Sequence, residues 1–221
     1  MRLRLTYSKR GRACFIPHIA IPSVFARSGA RASVPFQLSE GFTPRPRISL
    51  GPELPVGIPA LSEPFEAWVH SFDQEMLRRW DECLPPGFSL TGGYEVPEGS
   101  PGEARALSKH CEAASCLLAI RGETSPSPRL AACLEGLRDA GEILSVTSAF
   151  MGDRPCLRCI VETPSKRGPT LLVKPLVEEG IVEGWGDILL VREAVGRLVR
   201  GAAEGAEYGV VPLSSPKDEH R

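Results

Sequence analysis

Nine lysines and arginines fall within the first fifty residues against a single acid, Glu40, although the 221-residue chain as a whole is formally −1. The groups able to recognise an anion are therefore gathered at the start of the chain. The candidate contacts are Lys9, Arg10, Arg12, Arg27, Arg31, Arg45 and Arg47, joined by His18. Arg45 and Arg47 alternate with Pro44 and Pro46, and that alternation extends the backbone and keeps the two guanidinium groups apart. They lie in Ser39-Glu40-Gly41-Phe42-Thr43-Pro44-Arg45-Pro46-Arg47-Ile48-Ser49, followed by Leu54-Pro55-Val56-Gly57. Ser39, Gly41, Phe42, Pro44, Pro46 and Gly57 are the structural residues of this loop, with Phe42 expected to be buried as its anchor to the core. Such a loop would meet an anion with little ordering cost.

His18 has the chemistry of a phosphate contact or a general acid/base. It is not accompanied by a nucleophile, a carboxylate pair or a P-loop, so a contact role fits better than a catalytic one, and no catalytic residue is assigned. His70 and His110 read as ordinary, partly exposed side chains. Cys156-Leu157-Arg158-Cys159 has metal-like spacing but falls in an alternating strand pattern without a second CxxC. A structural role is expected, with no metal and no cofactor. The chain also lacks the three-cysteine CxxxCxxC loop of a radical iron–sulfur enzyme.

The elements that must position these groups follow from periodicity. Residues 2–7 alternate as a strand with one buried face. Residues 18–32 read as a helix starting near Ile21, because Pro22 fits only a first turn. Residues 34–38, 47–50 and 65–72 read as strands. Asp73 has the chemistry of an N-cap for a helix with Met76, Leu77, Trp80 and Leu84 on one face, and 88–96 returns as a strand. The order strand, helix, strand, strand, helix, strand is the split βαβ pattern. It begins again with a strand at 114–121, a helix at 128–140 and strands at 142–150 and 156–163. Residues 170–177 read as a further strand and 188–203 as a closing helix. The expectation is an α+β fold of tandem ferredoxin-like (split βαβ) subdomains with antiparallel sheets: 1–97 the basic subdomain, 103–212 the second with its C-terminal helix, and 213–221 a disordered tail.

At 42% hydrophobic the chain can bury a substantial core. No window reaches the roughly 18 apolar residues of a membrane span, so no membrane association and a cytoplasmic location are expected. Seven cysteines without a framework point to reduced thiols.

The same N-terminal residues resemble the radical SAM-linked proteins, also known as the domain of unknown function DUF2344. That family's pattern runs Phe-(Ile/Leu)-Ser-His-Leu-Asp-Leu, an arginine-rich helix ending in Leu-Pro, then Ser-x-Gly-Phe-Asn-Pro-His-Pro-Lys-(Ile/Leu)-Ser, then Leu-Pro-(Leu/Val)-Gly. The counterparts are Phe15-Ile16-Pro17-His18-Ile19-Ala20-Ile21, Arg27 and Arg31 leading to Val34-Pro35, the 39–49 loop, and Leu54-Pro55-Val56-Gly57. Ala20 stands where the pattern has an acid, Pro17 a serine, Arg45 a histidine and Ser23 a frequent arginine. The resemblance implies a companion of a radical SAM enzyme with a cobalamin-binding domain, and RNA as a candidate ligand. The expected role is a non-catalytic accessory protein presenting RNA or another anionic substrate on its basic face. The alternatives are a metal-independent endoribonuclease of the tandem ferredoxin-like type using His18, and a pure protein-interaction module.

Overall fold

Alternation makes Arg2–Lys9 the first strand, β1, with Leu3, Leu5 and Tyr7 on one face and Arg4, Thr6 and Ser8 on the other. Both faces are buried. The computed structural model describes residues 1–99, 106–203 and 206–214. The chain is α+β, with four α-helices and nine mostly antiparallel strands among the described residues. It divides into two units, one holding Met1–His110 and the stretch from Pro212, the other Cys111–Val211.

In the first unit β1 is followed by α1 (Ile21–Arg31), β2 (Ile48–Leu50), β3 (Ala60–Trp68), α2 (Gln74–Glu82) and β4 (Phe88–Val96). The strands lie in the order β4-β1-β3-β2, each pair antiparallel. Register places Arg2 opposite Trp68 and Lys9 opposite Ala60. Pro22 sits in the first turn of α1, where no backbone donor is needed, and Ile21, Phe25, Ser28 and Gly29 form its buried stripe. Asp73 caps α2 as expected, its Oδ1 accepting from the Met76 N–H at 2.6 Å.

An aromatic cluster joins these helices to the sheet. Phe25 stacks on Phe65 at 4.4 Å and meets the edge of Tyr7 at 5.0 Å. Trp80 is fully buried, yet its Nε1–H is satisfied by the Phe25 carbonyl at 3.2 Å and Ser28 Oγ at 3.0 Å. Gly29 permits close packing here: a Cβ there would lie 3.3 Å from the Trp80 ring and 2.5 Å from the Phe36 ring. The strand expected at 34–38 is reduced to two isolated bridges, Phe36 with Val69 and Leu38 with Pro46.

The second unit runs β5 (Ala113–Ile120), α3 (Pro128–Asp139), β6 (Ser145–Met151), β7 (Arg154–Glu162), α4 (Thr170–Glu178), β8 (Ile188–Ala203) and β9 (Ala206–Pro212), with sheet order β8-β5-β7-β6 and β9 on β8. Two expectations are corrected here. Residues 170–177 belong to helix α4, which buries Leu172, Val173 and Leu176 despite Pro175 in its interior. A short apolar run fits either element, and burial on one helical stripe decided it. Residues 188–203 form strand β8, not a closing helix. Val191, Val195 and Val199 imitate a four-residue helical spacing, but pairing with β5 and β-branched side chains favour the strand.

Among the described residues no helix is long and apolar enough to cross a membrane. Leu213 is buried, whereas the rest of the expected tail, from 215, lies outside the described residues.

Candidate functional site

Immediately after β1 the chain makes a 3-10 turn, Gly11–Phe15, held by Arg10 N–H to the Gly87 carbonyl at 2.8 Å. Gly57 N–H donates to the Cys14 carbonyl at 2.8 Å, which ties the Leu54–Gly57 loop to this turn, and Gly57 adopts φ +90°. Lys9 is corrected out of the surface set: it is 0% exposed, with Nζ donating to the Ile16 carbonyl at 2.7 Å. Its charge holds the turn from within. Arg10 and Arg12 are exposed, as is Arg27 on α1, and none of the three is in an ion pair among the described residues. His18 is half-buried and opens a second 3-10 turn, His18–Ala20. Three apolar side chains are exposed on these turns and the loop tied to them: Phe15, Ile19 and Val56. Burial pushes the Cys14 thiol up, against the opposing pull of Lys9.

The proline-rich loop is an irregular hairpin. Ser39 N–H donates to the Arg45 carbonyl at 2.8 Å, Arg45 N–H returns to Ser39 Oγ at 3.1 Å, and Arg47 N–H reaches the Gln37 carbonyl at 2.9 Å. Pro44 and Pro46 occupy positions that need no donor, while Gly41 takes φ +122° at the tip. Phe42 is 110% exposed. The core-anchor expectation fails because the tip lies beyond the last backbone pair, out of reach of the aromatic cluster. Arg45 is exposed and in no ion pair among the described residues; Arg31 instead donates to the Cys83 carbonyl.

The base of this hairpin is docked on β3. Gln37 N–H donates to the Trp68 carbonyl at 2.8 Å, and Trp68 N–H donates to the Arg47 carbonyl at 3.1 Å. Two guanidinium groups then share the Trp68 ring, Arg47 at 4.8 Å and Arg2 at 5.4 Å from its centroid. Arg2 and Arg4 both bind Glu66, Arg2 Nη2 at 2.6 Å and Arg4 Nη2 at 2.7 Å. Beside them is an open pocket of about 530 Å³ lined by Met1, Arg2, Gln37, Arg47, Trp68, Val96 and Glu98.

The expected contacts thus separate into two groups. Arg10 and Arg12 follow the Lys9 end of β1, whereas Arg47 docks against Trp68 at the Arg2 end, seven residue steps or roughly 23 Å away along the strand. Sequence reasoning did not single out Arg2, Gln37, Trp68 or Glu98. Only pairing across β1 and β3 brings them to the hairpin, and the available signal was the shared face of Arg2, Arg4, Glu66 and Trp68 in two alternating strands. Cys156 and Cys159 are buried on β7, with Cys159 opposite Cys116, and burial pushes the Cys159 thiol up strongly. Among the described residues no group of three or more His, Cys, Asp or Glu could hold a metal ion.

A family model described as "Uncharacterized protein conserved in bacteria (DUF2344)" matches residues 2–153. The chain belongs to the DUF2344 family. The DUF2344 match includes β1 to β6 and the whole hairpin. No curated protein matches the chain. Among solved structures, the DUF2344 chain is similar to one titled "Crystal Structure of an Unknown Protein from Galdieria sulphuraria", at 12% identity over 86% of this chain and 97% of that one, with a TM-score of 0.27.

Proposed function

We propose that this DUF2344 protein is a non-catalytic accessory protein that presents RNA, or another anionic substrate, on its basic N-terminal unit to a cobalamin-binding radical SAM enzyme. The observation that carries the reading is the hairpin tip, where a fully exposed ring, Phe42, stands three residues from the exposed Arg45. A ring that contributes nothing to the core can stack on a base, and a guanidinium without a carboxylate partner can meet phosphate. Arg10, Arg12 and Arg27 extend the same chemistry. The radical SAM partner rests on the motif resemblance from Phe15 to Gly57. A ferredoxin-like reading of each unit is supported by strand order: β4-β1-β3-β2 and β8-β5-β7-β6 both place the unit's fourth strand beside its first and the third beside the second, with β9 added on β8.

The test is binding of a labelled single-stranded RNA across a salt series. Affinity is expected to fall steeply with salt, and the slope is expected to be shallower by about 0.7 in Arg45→Glu, where one phosphate is no longer neutralised. Salt-insensitive binding, or none at low salt, would remove the reading. The RNA is expected to remain intact; cleavage that disappears in His18→Ala would replace presentation with endoribonuclease activity. A second reading, a protein-interaction module, is favoured specifically by the exposed Phe15, Ile19 and Val56. It predicts co-purification of a radical SAM enzyme that survives nuclease and fails in Phe15→Ser/Ile19→Ser.

A further inference from the structure

We infer that the pocket at the Trp68 end of β3 is a guanine-nucleotide site. The inference deepens the proposed function and rests on it for the choice of a nucleotide among ligands that combine an anion with hydrogen-bond donors. The pocket's volume, about 530 Å³, is in the usual range for a small-molecule site.

Its chemistry is two-sided. Arg47 lies against the Trp68 ring at 4.8 Å, and its side chain enters no ion pair among the described residues. Stacking on an aromatic face leaves the planar N–H edge of a guanidinium available, already ordered, for a phosphate. In the same lining the polar side chains of Gln37, paired with Arg47 along the hairpin, and of Glu98 offer acceptors. Gln37 commits Nε2 to the Val69 carbonyl at 3.0 Å, which fixes the amide and leaves Oε1 without a partner among the described residues. The Glu98 carboxylate likewise has no partner there. Two acceptors suit the guanine edge, which donates through N1–H and the 2-amino group; adenine has an acceptor at N1 and meets a carboxylate unfavourably. Met1 and Val96 supply apolar wall. A free amino acid also pairs an anion with a donor, but it would leave most of this volume unfilled.

The experiment is titration of the full chain with GMP, AMP and inorganic phosphate, read by tryptophan fluorescence, with Trp68→Phe assigning the signal among three tryptophans. GMP is expected to quench Trp68 saturably, with AMP and phosphate at least about tenfold weaker, the value of one charge-assisted hydrogen bond. Glu98→Gln is expected to weaken GMP about tenfold while leaving AMP unchanged, and Arg47→Ala to weaken both nucleotides. Both positions are exposed, and melting curves check that the variants fold. Equal affinity for GMP and AMP, or GMP binding indifferent to Glu98→Gln, overturns the inference. RNA binding with normal salt dependence but no GMP binding sinks the pocket and leaves presentation standing; GMP binding without RNA binding does the reverse. Displacement of a guanine-containing oligonucleotide by GMP identifies RNA as the source of the nucleotide, and absence of displacement identifies free nucleotide; the site stands in both cases.

Discussion

Phe42 and Glu66 are opposite uses of a side chain. Phe42 touches nothing in the core, so Phe42→Ser is expected to leave the melting temperature unchanged while weakening single-stranded RNA binding by about 1–3 kcal/mol without altering its salt slope, as for loss of one stacked base. Filter binding at two salt concentrations checks this. Glu66 is 1% exposed and accepts from both Arg2 and Arg4. Glu66→Gln strands a nearly buried guanidinium, and urea unfolding is expected to show a loss of about 3 kcal/mol. The cationic composition was legible in the sequence, but the fate of each cation was not. Lys9, Arg10 and Arg12 are near neighbours in sequence with similar chemistry; only β1's pairing with β3 and β4 decides that Lys9 points inside and the other two do not.

At the scale of elements, α1 and α2 are specified locally. Pro22 in a first turn, Asp73 as a cap and Met76 with Trp80 at i,i+4 are signals that need no tertiary partner. Gly29 is different, since its need for a hydrogen in place of a methyl comes from the Phe36 ring on the hairpin arm. Gly29→Ala is expected to cost about 1–3 kcal/mol through overpacking, outweighing the gain in helix propensity, and equilibrium denaturation measures the net sign. Asp73→Ala is expected to cost about 1 kcal/mol. The exchange of strand and helix at 170–177 and 188–203 has a common cause. In both segments apolar residues recur densely enough to satisfy either period, and the packing surface makes the choice: Leu172 and Leu176 share a buried stripe, whereas Val195 must lie opposite Ala114 on β5.

At the scale of the whole molecule, buried charges are paired, whereas Arg10, Arg12, Arg27 and Arg45 are exposed and in no ion pair among the described residues. In the second unit Glu193 meets Arg158 Nε at 2.8 Å and Ser115 Oγ at 2.7 Å. Burial opposes its ionised form, yet these partners outweigh burial and hold the carboxyl below its ordinary range. A lowered folded-state value means stabilisation that is complete above the unfolded pKa of about 4.3 and lost as pH falls through the folded value. Thermal melting of Glu193→Gln is accordingly expected to show a shallower acid-side decline than the parent. None of the seven cysteines is in a disulfide, and six are buried. Burial, with Glu179 adding to it, pushes Cys133 up to about 11, so a thiol reagent at neutral pH is expected to titrate one group quickly, Cys83, and the others only on unfolding. By itself the sequence determined the α+β class, most helix and strand positions and the basic composition of the N-terminal unit, because periodicity, caps and prolines act over a few residues. Tertiary structure alone decided that Phe42 stands in solvent, that Lys9 is interior, that 188–203 is a strand, and that Arg47, Trp68, Gln37 and Glu98 share one pocket. Apart from the hairpin tip, those outcomes depend on strand register between residues dozens of positions apart, and register is a property of paired surfaces that no local pattern carries.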